Sequence, residues 1–299
     1  MNENENRNEN VKSSRMKDYD DLDFTDDFMF CKVLKNNPQL CKKLAQVCTG
    51  EKFGDIVIHK QHEIEITLNG HGVRFDVCLE DEKIICDVEM QVVLKSNLPR
   101  RSRYYQGIVD VENLERGKDY QNLRKSYIIF ICLENPFKEA NLHKYTFVNI
   151  CKEDKSLELG DDAIKIFLTP DSTADDISGE LEELMNFVVK KQGNSDFTKG
   201  LEEAVAAIKR GDGWRWEYMH IKELYDDAHQ TGEKKGRKEG RIEGIKEGRA
   251  EEREKGDRDL IEILAAAGVP KEEIIKNLVQ KRGLSEEEAK NKVEKYYKN

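Results

Sequence analysis

Two stretches of alternating apolar and polar residues stand out: Val73-Arg74-Phe75-Asp76-Val77-Cys78-Leu79 and Ile84-Ile85-Cys86-Asp87-Val88-Glu89-Met90-Gln91-Val92-Val93. They are separated by the charged segment Glu80-Asp81-Glu82-Lys83. A period of two with a polar break predicts a β-hairpin. An earlier run, 59–68, alternates in the same way and predicts a third strand. Helical spacing surrounds these strands at 26–36, 38–48 and 99–115, and apolar runs at 127–133, 145–151 and 163–168 predict further strands. Interleaved helices and strands predict an α/β fold, a mixed sheet flanked by helices on both faces. From 174 to 228 the spacing becomes helical, with Leu181, Leu184, Met185 and Val188 on one stripe and Leu201, Val205 and Ile208 on another.

The C-terminal third has a different texture. Gly232, Gly236, Gly240, Gly244 and Gly248 recur every four residues among charged ones. Each glycine costs a helix about 1 kcal/mol relative to alanine, so 231–256 reads either as a charged linker or as a helix whose glycines admit a second helix closely. Three short helices are expected beyond it, the last opened by the capping box Ser285-Glu286-Glu287-Glu288, with Gly268-Val269-Pro270 separating the first two. The expected organisation is a disordered polar tail (1–17), an α/β core (18–170), a helical appendage (171–230), the glycine-repeat segment (231–256) and a small helical unit (257–299). Removal of Gly232 onward is expected to leave the core folded.

Composition narrows the partners. The 299-residue chain carries a net charge of −10, with 37% charged and 37% hydrophobic residues. Bulk acidity argues against a general nucleic-acid coat, so contact with nucleic acid falls to a local basic patch. Seven cysteines without a CxxC pair read as reduced thiols of a cytoplasmic protein. The opening Met1-Asn2-Glu3-Asn4-Glu5-Asn6 is the opposite of a signal peptide, and no apolar run reaches membrane-spanning length.

The hairpin also carries the candidate chemistry. Side chains alternate across a strand, so Arg74, Asp76 and Cys78 share one side, and Asp87, Glu89 and Gln91 share a side of the next strand. If Leu79 pairs with Ile84, Asp76 lies opposite Asp87. If Leu79 pairs with Cys86, Asp76 lies opposite Glu89. An odd turn puts Asp76 and Glu89 on different faces. Two adjacent carboxylates repel unless a cation joins them, and a hard divalent ion such as Mg²⁺, with Mn²⁺ as alternative, suits them and phosphodiester hydrolysis. A solvated hairpin face is the other reading. Asp27 opens the first helix, where a carboxylate also favours the positive helix end, and Glu63 on the preceding strand competes with it to complete the site. After the hairpin, Lys95, Arg100, Arg101 and Arg103 precede Tyr104 and Tyr105, a candidate phosphate-binding edge made of Arg100, Arg101, Arg103 and Tyr105.

These residues also carry a resemblance. Thr25-Asp26-Asp27-Phe28-Met29-Phe30, the segments around Asp76 and Glu89-Met90-Gln91, Pro99 to Tyr105, Ser126 to Cys132, Tyr145-Thr146-Phe147 and Trp214 to Met219 occur in the order seen in the recombination-promoting nuclease and transposase family of the PD-(D/E)XK superfamily. The resemblance implies a restriction-endonuclease-like fold and a Mg²⁺-dependent DNA endonuclease linked to recombination or mobile elements. It implies Asp76 and Glu89 as metal ligands, Asp27 and Gln91 as further catalytic positions, and DNA as partner. Phe75 stands where the superfamily has proline, and Gln91 where it has lysine. The second departure leaves open a weak or inactive nuclease fold that binds DNA or protein. The glycine-repeat tail resembles that family's tail; its spacing allows either a linker or a homo-oligomer contact through the C-terminal region.

Overall fold

A computed structural model describes residues 16–59, 63–64 and 73–297. The chain divides into two compact units, Met1–Lys222 and Glu223–Asn299. The tail expected over 1–17 lies almost wholly outside the described residues, as does most of the strand expected over 59–68.

In the first unit, helices α1 (Asp27–Asn36) and α2 (Pro38–Thr49) precede β1 (Val57–His59). Pro38 sits at the start of α2, where its missing N–H is no loss, and Gly50 ends that helix in the left-handed conformation at φ 81°. Next come β2 (Glu63–Ile64), β3 (Val73–Arg74), β4 (Val77–Glu80), β5 (Ile84–Gln91), α3 (Leu98–Asn113), β6 (Lys125–Cys132), β7 (Lys144–Phe147) and β8 (Ala163–Leu168). Six strands form one mixed sheet in the order β1-β4-β5-β6-β8-β7, with β5, β6 and β8 parallel, while β2 and β3 pair separately. The α/β class with helices on both faces is therefore as the alternation predicts.

The sheet has two packed faces. Ile84, Cys86, Val88 and Met90 of β5 join Tyr127, Ile129 and Ile131 of β6 beneath α1 and α2. Ile85 of β5 joins Ile128, Phe130 and Cys132 beneath α3, through Leu98, Tyr105, Ile108 and Val109. Strand β5 is buried along its whole length, which fits a strand covered on both sides and excludes a solvated hairpin face.

Helices α4 (Gly179–Lys190) and α5 (Asp196–Arg210) are not peripheral to this core. Leu184, Met185, Phe187, Val188, Phe197, Leu201 and Ile208 belong to the same apolar cluster as α1 and α2. Helix α6 (Asp212–Ala266) begins in this unit. Its Tyr218 is buried against Tyr19 and Phe28, and donates its hydroxyl to the Lys17 carbonyl at 2.8 Å. The two tryptophans of this helix separate. Trp214 packs against the core, whereas Trp216 is 78% exposed, because two residues turn the helix by about 200°.

In the second unit the end of α6 packs with α7 (Lys271–Arg282) and α8 (Glu286–Tyr296) around Ile261, Ile274, Leu278, Ala289 and Val293. The Ser285 capping box forms: its hydroxyl accepts from the Glu288 amide, and the Glu288 carboxylate accepts from the Ser285 amide at 2.9 Å. All five repeat glycines lie within α6. Ion pairs such as Arg237–Glu233, one turn apart, return only a few tenths of a kcal/mol each against the cost of the glycines.

These contacts set where the chain tolerates truncation. A protein ending at Thr231 is expected to unfold cooperatively, with unchanged core stability. One ending at Arg210 loses Tyr218 and Trp214 and is expected to be destabilised by about 3–5 kcal/mol, read by urea unfolding.

Candidate active site

Strands β4 and β5 pair antiparallel with Leu79 opposite Cys86, Cys78 opposite Asp87 and Val77 opposite Val88. Of the two even registers, this is the one that sets Asp76 across from Glu89. The strand expected over 73–79 is nonetheless broken at Asp76. There the backbone N–H donates to Glu89 Oε1 at 3.0 Å, and the Asp76 carboxylate accepts from the Met90 amide at 3.0 Å. The bend exchanges ladder bonds for carboxylate bonds, and so locks the two acidic residues together.

Helix α1 contributes from its first turns. Asp27 is its first residue, and Cys31 lies one turn on, on the same face. The donor atoms of Asp27, Cys31 and Asp76 all lie within 4.8 Å of one another. The Cys31 thiol is 3.8 Å from Asp27 Oδ1 and donates to the Asp76 carbonyl at 3.3 Å. Glu63 pairs with Arg74 in the small β2–β3 ladder, but its side chain lies outside what the structure describes.

The electrostatics follow from crowding. Burial, then Glu89 and Asp27, push the Asp76 carboxyl up to about 9. Glu89, 2% exposed, is also raised by burial, against the opposing pull of the Asp76 amide and Arg101. Asp87, fully buried on the same face, accepts no hydrogen bond at either oxygen among the described residues. Burial, reinforced by Glu89 and Asp76, raises its carboxyl well above the ordinary carboxylate value.

The basic run after the hairpin divides. Arg100 and Arg103 are exposed on the outer side of α3. Arg101 turns inward: its Nη2 donates to Glu89 Oε2 at 2.7 Å and its Nη1 to Gln91 Oε1 at 2.9 Å. The guanidinium carbon lies 4.9 Å from the Phe130 ring centre and 5.2 Å from that of Tyr105. Tyr105 is itself buried, edge-on to Phe75 at 5.1 Å, so its ring lies under Arg101 rather than on the outer edge with Arg100 and Arg103. The Gln91 amide is engaged at both ends, accepting from Arg101 and donating to the Val93 carbonyl.

The structure thus brings together Asp76, Glu89, Gln91 and Asp27, and adds Cys31, Asp87 and the inward Arg101. The helical spacing of Asp27 and Cys31 and the strand alternation of Asp87 and Glu89 already place each pair on one face. The inward turn of Arg101 also has a signal in the spacing, since Leu98, Arg101, Tyr105 and Ile108 recur on one helical face, although its place in the phosphate-binding edge grouped it with Arg100 and Arg103.

A family model described as PD-(D/E)XK nuclease family transposase matches residues 21–169. Comparison with curated proteins and with solved structures gives no match. The matched segment contains Asp27, the β4–β5 pair with Asp76 and Glu89, and the α3 helix with Arg101. Through residues 21–169 the chain belongs to the PD-(D/E)XK nuclease family transposases, and its α/β sheet flanked by helices is the fold of that family.

Proposed function

We propose that this protein is a metal-dependent DNA endonuclease acting in DNA breakage linked to recombination or mobile elements. The observation that carries the reading is the pairing of Asp76, just before β4, with Glu89 on β5, the first half-buried and the second buried. Close carboxylates with raised proton affinity fit a divalent cation, since only a cation or protons relieve their repulsion. The oxygen donors of Asp76, Glu89 and Asp27 are hard, which suits Mg²⁺ and also Mn²⁺. A cation held there supplies Lewis-acid polarisation of a phosphate and acidification of a water.

The chain's own residues do the rest. The Asp76 amide fixes the Glu89 carboxylate, and the Met90 amide fixes that of Asp76, so both are oriented before substrate arrives. Arg100 and Arg103, exposed on the helix that follows the site strand, are placed to neutralise backbone phosphates in an otherwise acidic protein. The second reading, a nuclease fold that binds DNA without cutting it, is favoured by one observation: glutamine at position 91 supplies no positive charge.

Cleavage of supercoiled plasmid separates the two readings. Wild-type protein with Mg²⁺ or Mn²⁺ is expected to nick or linearise it. Asp76→Ala and Glu89→Ala are each expected to lower the rate at least about 100-fold, and chelator to stop it. Folded wild-type protein that binds the plasmid and leaves it intact under all these conditions supports the binding module instead.

Two further outcomes follow. Arg100→Ala and Arg103→Ala are each expected to weaken DNA binding uniformly across sequences, and to reduce the slope of log affinity against log salt by about one, measured by fluorescence anisotropy. The raised carboxyls fix a sign for pH. In chelator the folded protein retains protons on Asp76 and Asp87 that the unfolded chain releases near pH 4, so stability falls as pH rises from about 4 to about 9. Asp87→Asn and added Mn²⁺ are each expected to flatten that fall in thermal unfolding, and a stability that instead rises over this window contradicts the assignment.

A further inference from the structure

Position 91 holds an amide, yet the phosphoryl transfer proposed above develops negative charge that calls for a fixed cation close by. Among the described residues one cationic side chain lies against both Glu89 and Gln91: Arg101, reaching from α3 with its Nη2 2.7 Å from Glu89 and its Nη1 2.9 Å from Gln91. The guanidinium is always charged and carries five N–H donors in a planar fork that matches two phosphate oxygens. Only two of its nitrogens are engaged here, and its buried Nε has no acceptor among the described residues. The Phe130 and Tyr105 rings border the guanidinium, so it is held at the site by packing as well as by charge.

We propose that Arg101 is a catalytic residue, supplying from α3 the positive charge that Gln91 cannot. In the free protein it rests on Glu89 and Gln91 as their counter-ion; with DNA bound and a divalent cation on the carboxylates, its fork pairs with the scissile phosphate. The proposal rests on the nuclease reading. It differs from a phosphate-anchoring role for Arg101, because an anchor acts on DNA affinity whereas a charge at the reacting phosphate acts on turnover.

The chemistry also limits what can replace it. Lysine keeps the charge but loses the fork and the planar contact with the two rings, so it restores only part of the function. Methionine keeps much of the volume between Phe130 and Tyr105 while removing the charge, which separates packing from electrostatics.

The test compares wild type, Arg101→Met and Arg101→Lys in the full chain with two readouts. The first is steady-state cleavage of a defined duplex with Mn²⁺. The second is calorimetric Mn²⁺ binding at pH 8.5 without DNA. Arg101→Met is expected to lose about 100-fold in kcat with KM for DNA within about threefold, and Arg101→Lys to regain about tenfold of that loss. Without DNA, Arg101→Met is expected to bind Mn²⁺ several-fold more tightly, because the resting arginine no longer competes for Glu89. A methionine variant that keeps wild-type kcat, or that loses only KM, overturns the catalytic role. One that loses Mn²⁺ affinity tenfold shows that Arg101 organises the carboxylates, and overturns it equally. Wild-type protein that binds Mn²⁺ but cuts no duplex overturns the nuclease reading itself, and this proposal with it.

Discussion

Buried carboxylates at one point of a sheet cannot all be ionised without a cation, and the site of this protein is organised by that constraint. Asp76, Glu89 and Asp87 occupy one side of the β4–β5 pair, with Asp27 arriving from α1. The protein meets the requirement in three ways. Backbone amides bond to Asp76 and Glu89, the Arg101 guanidinium sits on Glu89, and burial favours the protonated form of Asp87. Each of these compensations is local, and each ties a different element to the same few ångströms.

The architecture around the site serves that arrangement. Covering β5 on both faces removes its side chains from water, which raises the proton affinity of the carboxylates and strengthens every charge interaction among them. The parallel partner β6 sets Phe130 beside Glu89, and that ring then borders the arginine. Helix α3 has two distinct sides: Arg101 and Tyr105 turn toward the sheet, while Arg100 and Arg103 face solvent. Helices α4, α5 and the start of α6 close the opposite face and support α1, the helix that carries Asp27 and Cys31.

Much of this was legible in the chain. The 84–93 alternation placed Asp87, Glu89 and Gln91 on one face, and the helix and strand spacing located α1, α2, α3, β6 and β8 to within about two residues. Other features were not. The break at Asp76 depends on a carboxylate outcompeting a ladder bond, which no periodicity reports. The inward side of α3 follows from the helical spacing of Leu98, Arg101, Tyr105 and Ile108, but the contact of Arg101 with Glu89 and Gln91 depends on where α3 docks on the sheet. The burial of Asp87 looked like ordinary alternation, since a charged residue on a half-exposed strand has the same pattern as one on a covered strand.

The sequence by itself determined the element order, the α/β class and the local facing of residues at helical or strand spacing, because these follow from backbone periodicities of 3.6 and 2 that every residue shares. Tertiary structure alone decided which of the two even registers joined Asp76 to Glu89, that α3 docked so as to bring Arg101 onto Glu89, and that the helices after 179 completed the core. Those outcomes arise from packing between segments far apart in the chain, where the relative placement of two elements, not the pattern within either, sets the contact.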